Sequence, residues 1–151
     1  MNPEKIVQLT RVNASGQEEV VDVAMRYCIA AEIGFSQLAD KSIEVFNPET
    51  AEGEGGKLVV TAPPKATDDD YIKLSMAAIT AAYEARGENS PVTAADILYH
   101  STRKQVVDMM TAVMLLRIEW LSMPKDIKPE TESDGKEKKR KNVKRPTTGT
   151  S

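Results

Sequence analysis

Cysteine and histidine are almost absent from this 151-residue chain, which carries one of each, Cys28 and His100. A single Cys excludes an intramolecular disulfide framework and a cysteine-based zinc site, and suits a reducing compartment. A single His excludes the paired-His metal motifs. Aromatic residues make up only 5%, so a core has to be assembled mainly from Ala, Val, Ile, Leu and seven Met residues. No run of about 18 apolar residues occurs, and no basic-then-apolar signal opens the chain, so a soluble cytosolic protein is expected. These deficits argue against most enzyme chemistries, and no catalytic residue, metal-ligand set or cofactor is expected.

What is present is 40% hydrophobic and 28% charged, the profile of one domain able to bury one core. The net charge of −3 is unevenly spread. Residues 1–124 hold 11 basic and 18 acidic side chains, a body of −7, whereas residues 125–151 hold nine basic and five acidic ones, a tail of +4. The tail is rich in Ser, Thr and Lys and has almost no large apolar group. It cannot bury enough surface to offset its ordering entropy, and is expected to be disordered. The domain reading is therefore a single α+β body over 1–124 and a basic tail over 125–151.

Within the body, Lys5 to Val12 and Glu19 to Met25 are rich in β-branched residues. The turn formers between them, Asn13 to Gly16, make the pair read as a β-hairpin. From Arg26 to Asp40, Tyr27, Ala30, Ala31, Gly34, Phe35 and Leu38 fall on one helical stripe. Gly34 weakens that helix, by about 1 kcal/mol relative to Ala, or else permits close approach of a neighbour. Ser42 to Phe46 and Lys57 to Ala62 read as short strands, with Asn47 to Gly56 a flexible polar connection. Tyr71 to Arg86 is an Ala-rich helix preceded by Asp68-Asp69-Asp70, which suit the positive end of its dipole, and ended by Gly87. Thr93/Asp96 and Thr102/Gln105 stand at capping-box spacing. They open a short helix from Ser90 to Tyr99 and a long one from Arg103 to Ser122, stopped by Pro124. The architecture expected is an N-terminal β-hairpin packed on three to four helices.

Each residue that could carry chemistry also has a plainer reading. His100, with Ser101 beside it, reads as a surface His at a helix end, and Cys28 as a small buried hydrophobe. The three Asp residues lack the spaced ligands and Gly of a calcium loop. Gly53 to Lys57 lacks the spacing of a phosphate loop, and Glu52 and Glu54 would repel a phosphate. The basic run that includes Lys138, Lys139, Arg140, Lys141, Lys144 and Arg145 would attract nucleic acid by counterion release. It has no interleaved aromatic for base stacking, so such binding would be indifferent to sequence. The Met-rich face of the last helix (Met109, Met110, Met114, Met123) reads first as a core stripe and second as a pliable surface for varied apolar partners.

The order of these features has a counterpart. A hairpin runs into a helix spanning Arg26-Tyr27 to Leu38, followed by Lys41-Ser42-Ile43. Asp70-Tyr71-Ile72-Lys73-Leu74 opens the Ala-rich helix, Thr93-Ala94-Ala95-Asp96-Ile97-Leu98 follows the break, and the last helix closes on Glu119-Trp120-Leu121. Over residues 5–123 this pattern resembles the tail assembly chaperones of long-tailed bacteriophages, small α+β proteins that work beside the tape-measure protein. The Glu49 to Pro64 connection and the basic tail depart from the shorter form of the pattern. The resemblance implies a non-enzymatic role in the bacterial host cytoplasm: coating the helical tape-measure chain until tail-tube subunits displace it, with no membrane involved and a homo-oligomer compatible. Contact residues would then come from Met76, Ile79, Tyr83, Met109, Val113, Met114 and Trp120, all equally suited to the core. The other reading is a small nucleic-acid-associated protein that uses the basic tail as an electrostatic arm.

Overall fold

The computed structural model describes residues 2–124. Strands β1 (Glu4–Val12) and β2 (Glu18–Arg26) pair antiparallel, with Val7 opposite Val23 and Leu9 opposite Val21. The Asn13 side chain closes the hairpin by accepting the N–H groups of Ser15 and Gln17 at 2.9 and 3.0 Å. Gly16 takes the positive φ of 80° that the turn requires. Side chains alternate across a strand, and Val7, Leu9, Val23 and Met25 bury one face. On the opposite face Ile6 and Val20 stay exposed.

Helix α1 (Ile29–Ala39) starts after Tyr27, which closes the strand pairing by donating its N–H to the Pro3 carbonyl at 3.0 Å. Tyr27, Ala31 and Phe35 are buried as the spacing predicts, but Ala30 and Leu38 are exposed, so the inward stripe is narrower than expected. Gly34 is where α1 meets helix α2 (Asp68–Ala85): a Cβ on Gly34 would lie 3.1 Å from that of Ala77. The close-approach reading of Gly34 therefore holds.

Residues 42–46 are not a strand. Ile43–Phe46 forms a 3-10 turn, capped by Ser42 Oγ accepting the Glu44 N–H at 3.2 Å. No strand among the described residues offers this segment a ladder, and Phe46 wedges between Phe35 and Tyr71, each ring centroid 4.9 Å away. The polar connection is not wholly irregular either. Glu49–Glu52 is a strand, β3, which pairs antiparallel with β4 (Leu58–Ala62), the latter as expected. The two form an arm whose side chains are almost all exposed.

Helix α2 begins three residues before its expected start because Thr67 and Asp70 form a full capping box, in which each side chain satisfies the other's backbone N–H. It ends before Gly87, whose φ is 69°. Thr93 and Asp96 also form the expected box. The short helix they open passes at Asp96–His100 into a wider, π-type turn. Helix α3 (Arg103–Leu121) follows, with Thr102 and Gln105 at its start bonded as the spacing predicts. The hairpin's buried face, α1, α2 and α3 enclose one core of small and aliphatic side chains around Tyr27 and Phe35. The chain is thus α+β. No helix among the described residues is long and apolar enough to cross a membrane.

Candidate protein-binding surface

Side chains cap part of each edge of the first hairpin. Ser101 Oγ accepts the outward-pointing Thr10 N–H at 3.1 Å, and Asp96 Oδ1 accepts that of Val12 at 3.2 Å. The Thr10 hydroxyl donates to Gln105 at 2.9 Å. On the other edge, the Tyr83 hydroxyl oxygen accepts the Ala24 N–H at 3.0 Å. Edge strands left open invite pairing with other chains, and here Tyr83 of α2, Asp96, Ser101 and Gln105 cover part of those edges. Ser101, beside the lone His, is thereby a β-edge cap. His100 itself sits half-exposed with Nδ1 2.9 Å from Glu18, the surface position expected. Cys28 is half-buried and packs against the core at the N-terminus of α1.

The other titratable clusters are also structural. Asp70 is buried; it caps α2 and accepts the Lys41 ammonium on both oxygens at 3.0 Å. Burial raises its pKa, but the Thr67 N–H and Lys41 more than offset this and hold it below the usual carboxylate range. Asp96 is held low in the same way against its burial, by Thr93 and by the Val12 N–H. Arg117 lies on α3 among apolar neighbours. Its Nη1 donates to Glu32 at 2.9 Å and to the Tyr27 hydroxyl at 3.0 Å, and its Nη2 to Asn47 at 2.6 Å. Burial pushes the Tyr27 hydroxyl well above its ordinary range, so it stays protonated and donates to Glu32 at 2.9 Å. Among the described residues, no group of three or more His, Cys, Asp or Glu is placed to hold a metal ion.

The seven contact residues expected from the sequence separate into three groups. Ile79, Met109 and Val113 are corrected to core positions: they are 2%, 0% and 0% exposed and face other elements of the fold. Tyr83 and Trp120 are half-buried and engaged, the first with the Ala24 backbone, the second against the Tyr27 ring at 5.4 Å. Met76 and Met114 retain open faces. Met76 lines a small cleft of about 160 Å³ with Leu38, Val92 and Ile97, and Met114 is 43% exposed. The basic residues from Lys138 to Arg145 lie outside the described residues.

The surface that sequence reasoning missed is the outer groove between α1 and α2, a cleft of about 450 Å³. Its walls are Ala30, Gly34, Ala77 and Ala81, with Ile33 and Leu38 on one rim and Gln37, Thr80 and Glu84 as polar edges. Ile33 and Leu38 are 54% and 48% exposed. Leu38 and Thr80 are shared with the Met76 cleft, so the two depressions adjoin. A signal was present: Ile29 and Ile33 stand four residues apart, off the Tyr27–Ala31–Phe35 stripe, beside a lane of Gly and Ala. No protein-family model, curated protein or solved structure matches the chain.

Proposed function

We propose that this chain is a non-enzymatic tail assembly chaperone, which binds amphipathic helical stretches of a tape-measure protein and shields them from aggregation until tail-tube subunits take its place. The observation that supports this reading is the α1–α2 groove. Small residues on its floor let an incoming helix approach closely, since interaxial distance follows side-chain size at the contact. Ile33 and Leu38 supply apolar contacts for anchors spaced three or four residues apart on the partner, and the polar edges leave the partner's outer face in water. Many such copies along one long helical chain give strong coverage from modest individual affinity, and each copy remains displaceable.

The test is binding of labelled helical tape-measure fragments, read by fluorescence anisotropy, together with suppression of their aggregation. The double variant Ile33→Glu/Leu38→Glu should bind at least about tenfold more weakly, or ~1.4 kcal/mol, with its unfolding midpoint unchanged because both side chains are exposed. Binding should also change little with salt, unlike contacts to phosphate, which weaken steeply. Undiminished binding by the double variant would sink the groove as the site.

A further inference from the structure

The β3–β4 arm is built differently from the first hairpin. An isolated two-stranded hairpin is marginal in water, and this one packs neither face: Leu58, Val59 and Val60 are 75%, 51% and 61% exposed although neighbours along a strand point to opposite sides. The Gly53 N–H donates to the Lys57 carbonyl at 2.7 Å, which makes Ala51/Val59 a bonded pair and turns the backbone groups of Leu58 and Val60 outward. No side chain among the described residues caps them, in contrast to Thr10, Val12 and Ala24 of the first hairpin.

We infer that β4 is a self-association edge, which pairs antiparallel with β4 of a second copy to make a four-stranded sheet. Charge selects both the edge and the occupant. β3 carries Glu49 and Glu52, so two β3 strands side by side would crowd four carboxylates into one short sheet, and like charges there are destabilising. From Leu58 to Ala62 β4 carries no charge, so it is complementary to itself. The outward groups of Leu58 and Val60, which precede the bulge at Thr61, set the register: Leu58 faces Val60 of the second copy and Val59 faces Val59, an isologous contact with apolar side chains opposed. This inference does not depend on the groove or on the nature of its ligand.

Sedimentation velocity of the full chain from about 1 μM to about 1 mM tests it. A reversible dimer is expected. Val60→Pro removes an N–H that bonds nothing within one copy but donates across the new ladder, and Val59→Lys places two ammonium groups face to face. Each should raise the dimer dissociation constant by more than about tenfold while the unfolding midpoint of dilute protein stays unchanged. Under mild oxidation, Val59→Cys should form a covalent dimer far faster than Thr61→Cys, because only position 59 meets itself across the axis. A chain that stays monomeric overturns the inference. So does a dimer indifferent to Val60→Pro and Val59→Lys, which would place its interface elsewhere, or equal cross-linking at both positions. Binding of foreign extended peptides at β4 without dimerisation would overturn it as well.

Discussion

Arg117 of α3 and Glu32 of α1 form an ion pair at 2.9 Å with only 10% and 19% of their side chains exposed. A guanidinium in this setting needs its other donors satisfied, and the Tyr27 hydroxyl and Asn47 do that. The same guanidinium lies 5.8 Å above the Phe46 ring. One side chain thereby ties α3 to α1, to the end of the hairpin and to the segment after the 3-10 turn.

Arg117→Ala should therefore lower stability by about 3 kcal/mol, because it leaves the Glu32 carboxylate without its cation in a largely dry site. Arg117→Lys should restore only part of this, since a point charge cannot reach Glu32 and Asn47 together. Urea unfolding of the three proteins checks it. A loss of less than about 0.5 kcal/mol for Arg117→Ala would show that the network contributes little.

The methionines of α3 should behave in opposite ways. Met109 is wholly buried and Met114 is 43% exposed. Met109→Ala leaves a cavity and should destabilise by about 2–5 kcal/mol. Met114→Ser should fall within about 0.5 kcal/mol of the parent. Thermal and urea midpoints of the two single variants decide this, and similar losses from both would contradict the assigned orientation of α3.

Acid should unfold the protein through Asp70 and Asp96. Both carboxyls are held below the ordinary aspartate value of 3.8 in the folded chain. A depressed folded pKa means stability that is fully present above the unfolded value and lost as pH falls through the folded one. The unfolding midpoint should thus decline as pH drops from about 4 downward. Asp70→Asn, which keeps the side-chain shape but cannot pair with Lys41, should start less stable at neutral pH and show a shallower acid decline. A variant whose acid limb matches the parent's would remove Asp70 from the explanation.

The elements that proved legible in the sequence are those governed by near neighbours. Asn13 to Gly16 specifies a tight hairpin turn, and Thr93 and Thr102 each cap a helix with the side chain three residues on. These signals work because both partners lie within one turn of each other. The Gly34 position was legible only as a pair of options, since its use depends on Ala77, which lies 43 residues further on. The segment around Ile43 to Phe46 has strand-like composition but finds no partner strand, whereas Glu49–Glu52, poor in β-formers, pairs with β4. Strand formation there is a matter of what lies alongside.

The candidate surface follows the same division. Scarcity of Cys, His and aromatics gives only the expectation of binding rather than catalysis, and the Met and Ala content only the expectation that a partner would meet the helical half. Which face of each helix is free was not written there. Helix α3 is apolar on nearly every side, so its sequence does not say that Met109 and Val113 point inward while Met114, five residues on and about 140° around the helix, points out. That choice was made by the hairpin, α1 and α2 closing over one flank of α3. It was made again where Gly34 let α1 settle against Ala77, turning Tyr27, Ala31 and Phe35 into the core and leaving Ile33 and Leu38 outside. Local chemistry determined the elements; burial, which depends on every element at once, decided which of their residues remain free to bind.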